Sequence, residues 1–256
     1  MALLDGISVV LLDIEGTTTS VSFVKDVLFP YVRQRLGQYL LDNWNEKELK
    51  EDIEQIRKLT IEEMGQDNEL MSIPTEADGD QHAAIIQAAI VHNVNRWMDL
   101  DKKATALKAL QGHMWRRAYE TRDISGHLYD DVAPVLQRVV ERGIKIYIYS
   151  SGSVKAQKLL FRHSVAGDVT KLISGYFDTT TGAKVEKASY ERIAKDIGVN
   201  PQQILFLTDV EREARPSNAV GMKCALVVRD GNAPLSSAAQ ELFPQIHTFQ
   251  QLLQIR

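Results

Sequence analysis

The stretch ISVVLLDIEGT (residues 7–17) decides the fold of this chain. Its first six residues form a short run, rich in β-branched side chains and nearly all apolar. Such a run predicts a strand that is buried on both faces, as in a parallel sheet. Asp13 follows this strand directly, and ligands of open α/β sheets bind beyond the carboxyl ends of the strands. The stretch therefore predicts both a central strand and a polar site at its end.

Four further runs of the same kind lie far downstream, at Ile144–Tyr149, Gly175–Phe177, Ile204–Leu207 and Cys224–Val228. Helical patterns separate them, and glycines are placed to end those helices. The glycines are Gly143, Gly198 and Gly221. Strands that alternate with helices in this way predict a doubly wound α/β fold with a parallel, Rossmann-like sheet.

The segment from residue 22 to about residue 125 has a different pattern. Apolar residues recur at helical spacing in three places, around residues 24–32, 49–59 and 86–98. No strand-like run interrupts them, so the segment predicts an all-helical insertion between the first two strands. We therefore expect an α/β core formed by residues 1–20 and 127–256, and a helical domain at 21–126.

Composition and charge restrict the function. The chain has 256 residues, of which 44% are hydrophobic and 25% charged, as is usual for globular proteins. Its net charge is -4, and it has no run of Lys and Arg, so a nucleic-acid partner has no electrostatic support.

The cellular location is inferred from three features of the sequence. A single cysteine, Cys224, allows no internal disulfide, which fits a reducing compartment. The apolar N-terminal stretch lacks a basic region and ends at Asp13, which argues against a signal peptide. No run of 18 apolar residues could cross a membrane. We expect a cytoplasmic protein, with the nucleus as a further location, and no membrane partner.

Chemically useful side chains follow the predicted strands. Carboxylates follow the first and fourth strands, serines follow the second, and a lysine lies between the third and fourth. This set suits a phosphate that is bound together with a hard cation. Its members are Asp13, Glu15, Ser150, Ser151, Lys184, Asp209 and Glu213.

Four motifs, in this order, resemble those of the haloacid dehalogenase superfamily of phosphohydrolases. They are DIEGT (13–17), YIYSS (147–151), Lys184 ahead of the helix SYERIAKDIGV (189–199), and LFLTDVEREA (205–214). The resemblance implies that the α/β domain is the catalytic core and that the helical insertion is a cap domain.

Longer stretches resemble one family within this superfamily, the enolase-phosphatases (acireductone synthases) of methionine salvage. They are LLDIEGTTTSVSFVKDVLFPY (11–31), LQGHMW (110–115), KIYIYSSGSVKAQKLLF (145–161) and ILFLTDVEREA (204–214). A Glu two residues after the Asp, followed by GTTT, is similar to this family. The resemblance implies that 2,3-diketo-5-methylthiopentyl-1-phosphate is enolised and then dephosphorylated to the acireductone 1,2-dihydroxy-3-keto-5-methylthiopentene.

The resemblance also implies catalytic roles. Asp13 would attack phosphorus and form an aspartyl-phosphate. Glu15 would lie on the same side as Asp13 if the strand continued, because strand side chains alternate. It would protonate the leaving oxygen and then deprotonate the attacking water. The alternatives are a helix-capping or turn aspartate and a solvated loop glutamate. The motifs do not identify the base for enolisation.

Binding roles follow for the remaining residues. Ser150 and Ser151 would contact the phosphoryl oxygens, helped by N–H groups at the start of the helix from Ser153, although simple helix capping is an alternative. Lys184 would neutralise Asp13 and the phosphate. One Mg²⁺ per subunit would be held by Asp13, Asp209 and the backbone carbonyl of Glu15. Glu213 would lie just outside the ligands of the metal or bind Lys184. The alternative is that Glu213 is a surface acid.

Two alternative functions remain at the level of sequence. One is a capped phosphatase for another small phosphate ester. The other is a catalytically inactive binding protein on the same core, against which the intact Asp13, Glu15, Lys184 and Asp209 argue. We interpret His113 as a structural helix residue, although it lies in a family segment. No heptad pattern demands a partner, and the resemblance implies a monomer.

Overall fold

A computed structural model of the protein describes residues 3–75 and 80–254. These residues form two compact units. The sheet unit contains the residues up to Val24 and those from Ser125 onward, and the helical unit contains Lys25–Ile124. Each unit has a hydrophobic core of its own.

The secondary structure follows the predicted order. The strands are β1 (Val9–Leu12), β2 (Lys145–Tyr149), β3 (Gly175–Phe177), β4 (Ile204–Thr208), β5 (Lys223–Val227) and β6 (Gln245–Ile246). The helices are α1 (Val21–Phe23), α2 (Phe29–Asp42), α3 (Lys47–Glu63), α4 (Asp80–Asp99), α5 (Thr105–Glu120), α6 (Val132–Glu141), α7 (Val154–Arg162), α8 (Lys187–Ile197), α9 (Glu211–Ala219) and α10 (Ser237–Leu242).

The six strands form one parallel sheet in the order β3-β2-β1-β4-β5-β6. β1 lies in the middle, paired with β2 and β4, and all four of its residues are buried. The five predicted strands are therefore confirmed. β1 begins at Val9 rather than Ile7, because the N–H of Ile7 closes a turn onto the Leu4 carbonyl. The sequence did not predict β6, because a two-residue strand carries no periodicity.

Helices cover both faces of the sheet. Val9 and Leu11 of β1 belong to one core cluster with Tyr190 and Ile193 of α8. The alternate residues of the strand point to the opposite face and are equally buried. On that evidence the fold is the predicted doubly wound, Rossmann-like α/β fold. α8 ends at Gly198, whose φ of +76° only glycine adopts without strain, as the sequence predicted.

The helical unit packs around the stripes that the sequence predicted. Its core contains Leu36, Leu40, Ile53, Ile56, Ile86, Ile90, Val94 and Trp97. One stripe is interrupted, since Val27 is exposed although Leu28 beside it is buried. The reason is a π-helical turn at Val24–Leu28, which shifts the helical register ahead of α2. No helix among the described residues is long and apolar enough to cross a membrane.

The boundaries between the units lie at 24/25 and 124/125, whereas the sequence predicted 20/21 and 126/127. Contacts at both connections explain the difference. Phe23 of α1 packs against the ring of His127, so α1 belongs to the sheet unit. Gly126 donates its N–H to the His163 carbonyl and lies so close to Leu160 that a Cβ would overlap the Leu160 carbonyl oxygen.

His113 lies on α5, which runs without a break through Gly112. Its Nδ1 is 2.7 Å from the buried carboxylate of Asp52, and its Nε2 is 3.5 Å from Glu48. Both acids belong to α3, so these contacts tie α5 to α3 inside the helical unit. They accord with the structural interpretation of His113.

A buried ion pair holds the C-terminal segment of the sheet unit. Arg229, two residues after β5, binds Asp131 at 2.9 Å, and both side chains are about nine-tenths buried. Asp131 also accepts the N–H of Phe249 at 2.7 Å. The Arg229 guanidinium lies 4.2 Å from the ring centroid of Tyr129.

We expect Asp131→Ala to lower the free energy of unfolding by about 3–5 kcal/mol, because it leaves the Arg229 charge buried without its partner. Equilibrium urea unfolding measures the loss. Glu191→Ala is the control, since Glu191 pairs with Lys187 on an exposed face of α8 and such pairs contribute less than about 1 kcal/mol. Equal losses of unfolding free energy in the two variants would contradict a stabilising role for the buried Asp131–Arg229 pair.

Candidate active site

The predicted site residues lie at the carboxyl edge of the sheet. Asp13 follows β1, Ser150 follows β2, and Asp209 follows β4. The register pairs Leu12 with Ile148 on one side and with Leu207 on the other. Because parallel strands all end at the same edge, these three strands deliver their next residues to one place.

Lys184 links two of the predicted carboxylates. Its Nζ lies 2.6 Å from Asp13 Oδ1 and 2.7 Å from Glu213 Oε2, and all three side chains are nearly buried. Thr208, the last residue of β4, donates its hydroxyl to Glu213 Oε2 at 2.9 Å and lies 3.4 Å from Asp13 Oδ2. The structure thus brings Asp13, Lys184 and Glu213 together.

The electrostatics of the site follow from burial. Burial alone would lower the pKa of Lys184, but the carboxylates of Asp13 and Glu213 outweigh it and raise that pKa. Burial and the neighbouring Asp13 raise the pKa of Glu213, against the opposing effects of Lys184 and Thr208. Burial and Asp13 also raise the pKa of Asp209, to about 7. The site therefore holds more carboxylate than a single ammonium can compensate.

A tight turn follows the nucleophile candidate. The N–H of Ile14 donates to Asp13 Oδ1 at 2.7 Å and fixes the carboxylate from the main chain. The Ile14 carbonyl accepts the N–H groups of Thr17, Thr18 and Thr19, which closes the loop. Asp13 is therefore held by Lys184 and by its own turn.

Glu15 lies beyond the end of the strand. β1 ends at Leu12, so strand alternation does not extend to Glu15 and does not place its side chain relative to Asp13. Glu15 instead pairs its main chain with Thr19 inside the turn, and its side chain is exposed. Its role stays a prediction that rests on the motif.

The two serines after β2 differ in environment. Ser150 is buried and accepts the N–H of Gly152 at 3.3 Å, whereas Ser151 is exposed. Some backbone N–H groups at the start of α7 already have hydrogen-bond acceptors. Ser153 accepts the N–H of Ala156, and Asp178 accepts that of Val154 at 3.1 Å. These two N–H groups already have acceptors within the protein, and the contribution of the helix start to phosphate binding stays a prediction.

Asp209 lies directly against the nucleophile turn. A Cβ added to Gly16 would overlap Asp209 Oδ2 and lie 2.5 Å from Asp209 Cγ, and Gly16 has a φ of +73°. Asn232 donates its side-chain amide to the carbonyls of Gly16 and Val227, at 3.0 and 3.1 Å. Asp209 and Asn232 line a cleft of about 220 Å³.

These residues fit a hard divalent cation. Burial and the neighbouring Asp13 raise the pKa of Asp209, and a cation between the two carboxylates would favour their charged forms. Within residues 3–75 and 80–254, no group of three or more His, Cys, Asp or Glu side chains is arranged around a metal. Mg²⁺ in proteins usually takes one or two carboxylates and completes its shell with other oxygens.

The sequence pattern did not indicate the roles of Thr208 and Asn232. Both follow the rule that located the other residues, since Thr208 ends β4 and Asn232 comes five residues after the end of β5. Applying the rule to the end of the fifth strand would have found Asn232.

Comparison with known proteins agrees with this geometry. The family model for haloacid dehalogenase-like hydrolases matches residues 7–221, so the fold and the site define a hydrolase of this class. Enolase-phosphatase E1 of Branchiostoma floridae is 52% identical over 98% of this chain and 85% of its own length. Enolase-phosphatase E1 of Danio rerio is 48% identical over 98% of this chain and 97% of its own length.

A solved structure is also similar. The UTR4 protein of Saccharomyces cerevisiae superposes with a TM-score of 0.76 at 30% sequence identity, covering 95% of this chain and 99% of that one. The chain belongs to the haloacid dehalogenase-like hydrolases and, among them, to the family of the proteins named enolase-phosphatase E1. A Mg²⁺-dependent mechanism is general in this hydrolase class.

We expect Gly16→Ala to lower the rate of phosphate-ester hydrolysis by roughly a hundredfold, because the added methyl group displaces Asp209 and a shift of 1 Å in an active site can cost that much. Steady-state phosphate release at several Mg²⁺ concentrations measures it.

Gly198→Ala is the matched control for this variant. Gly198 has nearly the same φ, but a Cβ there meets nothing within 4 Å. This variant should lose about 1–2 kcal/mol of stability from backbone strain and keep its turnover. If both variants kept full turnover, the crowding of Asp209 against the turn would have no catalytic significance.

Proposed function

We propose that this protein is a Mg²⁺-dependent enolase-phosphatase that converts 2,3-diketo-5-methylthiopentyl-1-phosphate into the acireductone 1,2-dihydroxy-3-keto-5-methylthiopentene in methionine salvage. The observation that carries the phosphatase half is the buried Lys184, which contacts Asp13 and Glu213 at the carboxyl edge of the sheet. A lysine beside a strand-end aspartate is suited to a phosphoryl group that arrives with negative charge.

The substrate is supported by similarity to relatives. Proteins named enolase-phosphatase E1 align over 98% of this chain, which includes the helical unit as well as the sheet unit. The similarity therefore extends to the part of the chain proposed as the cap, where substrate selection takes place in our proposal. The Asp13-x-Glu15-Gly-Thr-Thr-Thr stretch lies within the same alignment.

Hydrolysis proceeds in two displacements at phosphorus. A carboxylate oxygen of Asp13 forms a bond to phosphorus while the bond from phosphorus to the ester oxygen breaks, and Glu15 gives its proton to that leaving oxygen. Water then attacks the aspartyl-phosphate, transfers a proton to Glu15 and frees Asp13 and inorganic phosphate. The N–H of Ile14 and the Lys184 ammonium hold Asp13 in one orientation throughout.

One Mg²⁺ per subunit would be held by Asp13, Asp209 and the backbone carbonyl of Glu15. When bound, the ion supplies positive charge for the phosphoryl oxygens and for the enolate oxygen that develops during enolisation. Asn232 holds the Gly16 carbonyl and keeps the turn against Asp209. Ser150 and Ser151 contact the phosphoryl oxygens, and Glu213 is the second carboxylate that holds Lys184.

The remaining assignments complete the proposal. The helical unit, Lys25–Ile124, is the cap domain that selects the substrate. The protein acts as a monomer in the cytoplasm, with the nucleus as a further location. Its reaction requires neither nucleic acid nor a membrane.

Removal of the metal tests the cofactor assignment. Excess chelator should abolish phosphate release from the diketo phosphate, and added Mg²⁺ should restore it, because the Lys184 ammonium alone does not compensate the carboxylates of Asp13, Asp209 and Glu213. A panel of sugar phosphates and phosphoglycolate, assayed in parallel, should be turned over much more slowly. Full activity in chelator would contradict the metal assignment, and a preferred sugar phosphate would overturn the substrate.

Asp13→Asn should separate the two reactions. The amide is a weak nucleophile, so phosphate release should fall by several orders of magnitude, whereas enolisation needs no attack on phosphorus. The enol-phosphate should accumulate at saturating Mg²⁺, visible as ultraviolet absorbance without matching inorganic phosphate.

Asp196→Asn on the exposed face of α8 is the control and should leave both signals unchanged. Metal binding by the Asp13→Asn variant is confirmed separately by calorimetry. If absorbance and phosphate release were lost together while Mg²⁺ still bound, Asp13 would be needed for proton transfer and the two-step scheme would be wrong.

A further inference from the structure

The loop that carries Lys184 has an unusual set of hydrogen bonds. It connects the end of β3 at Phe177 with the start of α8 at Lys187. Three consecutive carbonyls in this loop each accept a side-chain hydroxyl from the core. Tyr149 donates to Gly182 at 2.9 Å, Ser189 donates to Ala183 at 2.8 Å, and Tyr190 donates to Lys184 at 2.6 Å.

The three donors come from rigid parts of the sheet unit. Tyr149 ends β2, and Ser189 and Tyr190 lie in the first turn of α8. All three are fully buried, and the two tyrosine rings pack edge to face with centroids 5.6 Å apart. A buried hydroxyl or carbonyl without a partner is costly, so these bonds restrict both the donors and the loop.

Gly182 allows this close approach. Its φ is +136°, and an added Cβ would overlap Ser189 Oγ and lie 2.5 Å from Arg192 Nη2. The loop backbone therefore reaches the first turns of α8 only because residue 182 has no side chain. The position of the Lys184 main chain is set by contacts outside the carboxylates that its side chain binds.

We propose that the hydroxyls of Tyr149, Ser189 and Tyr190 form a clamp that positions Lys184 for phosphoryl binding. The lysine side chain is long and flexible, and its ammonium must stay within 2.7 Å of two carboxylates. Fixing the main chain limits where the ammonium can go, so that it is already in place when the phosphoryl group arrives. This proposal rests on the proposed function in one respect only, namely that Lys184 binds the phosphoryl group.

The test measures binding of inorganic phosphate to the Mg²⁺-loaded protein by calorimetry. Tyr190→Phe keeps the ring and removes one hydroxyl, so Lys184 is no longer held in place before phosphate binds, and we expect phosphate affinity to fall about tenfold, the equivalent of roughly 1.4 kcal/mol. Tyr149→Phe and Ser189→Ala should lower phosphate affinity by a similar factor. Tyr176→Phe is the matched control, because the buried Tyr176 hydroxyl has no hydrogen-bond partner among the described residues.

A double-variant cycle separates positioning from a general structural effect. If the clamp acts through Lys184, Tyr190→Phe should weaken binding no further in a Lys184→Ala background. Two results would overturn the proposal. One is a double variant in which the losses of phosphate affinity from the two substitutions multiply. The other is a phosphate affinity of Tyr190→Phe that equals that of Tyr176→Phe. Urea unfolding of each variant verifies that the fold is kept.

This outcome is independent of the substrate. Phosphate binding would still report the clamp if the protein turned over a different phosphate ester, whereas the substrate assignment fails only on the panel of esters. Turnover of the preferred ester gives a second readout, in which the clamp variants should lose kcat while Tyr176→Phe does not.

Discussion

The site depends on the buried ammonium of Lys184 between Asp13 and Glu213. Burying charges is costly unless they are paired and hydrogen-bonded, and here both carboxylates share one lysine while Thr208 donates to Glu213. The arrangement fixes the orientation of Asp13, and the single ammonium does not neutralise both carboxylates. With Asp209 beside it, one ammonium faces three carboxylates, and burial with this repulsion raises the pKa of Asp209. That imbalance is the physical basis for the proposed divalent cation.

The sheet turns this local requirement into geometry. Three neighbouring parallel strands end at one edge, and each delivers a functional residue there. The loops beyond the strands are then fixed by main-chain contacts. The Ile14 carbonyl gathers three threonine N–H groups, Asn232 holds the Gly16 carbonyl, and core hydroxyls hold the Lys184 loop. A rigid scaffold with constrained loops holds reacting groups in place before the substrate arrives.

The class and the family are supported by different parts of the chain. The site at the sheet edge defines a haloacid dehalogenase-like hydrolase, and the matching family model covers residues 7–221. The assignment to the enolase-phosphatase E1 family depends on similarity along 98% of the chain, helical unit included. The assignment to the hydrolase class therefore depends on the sheet unit. The proposed substrate depends on the helical unit, whose helices the periodicity predicted but whose specificity no periodicity can encode.

The sequence by itself determined the five longer strands and the helical insertion, and it named Asp13, Lys184, Asp209 and Glu213, which the structure brings to one edge of the sheet. Buried β-branched runs and helical stripes are local signals, and parallel strands place whatever follows them at one edge. Only the tertiary structure decided that Glu213 binds Lys184 rather than lying on the surface, that Thr208 and Asn232 contact the site, and that Glu15 lies in a turn beyond the end of β1. It also showed the π-helical turn that exposes Val27. These features depend on distances between residues far apart in the chain, or on backbone hydrogen bonds within turns, and neither leaves a periodic trace in the sequence.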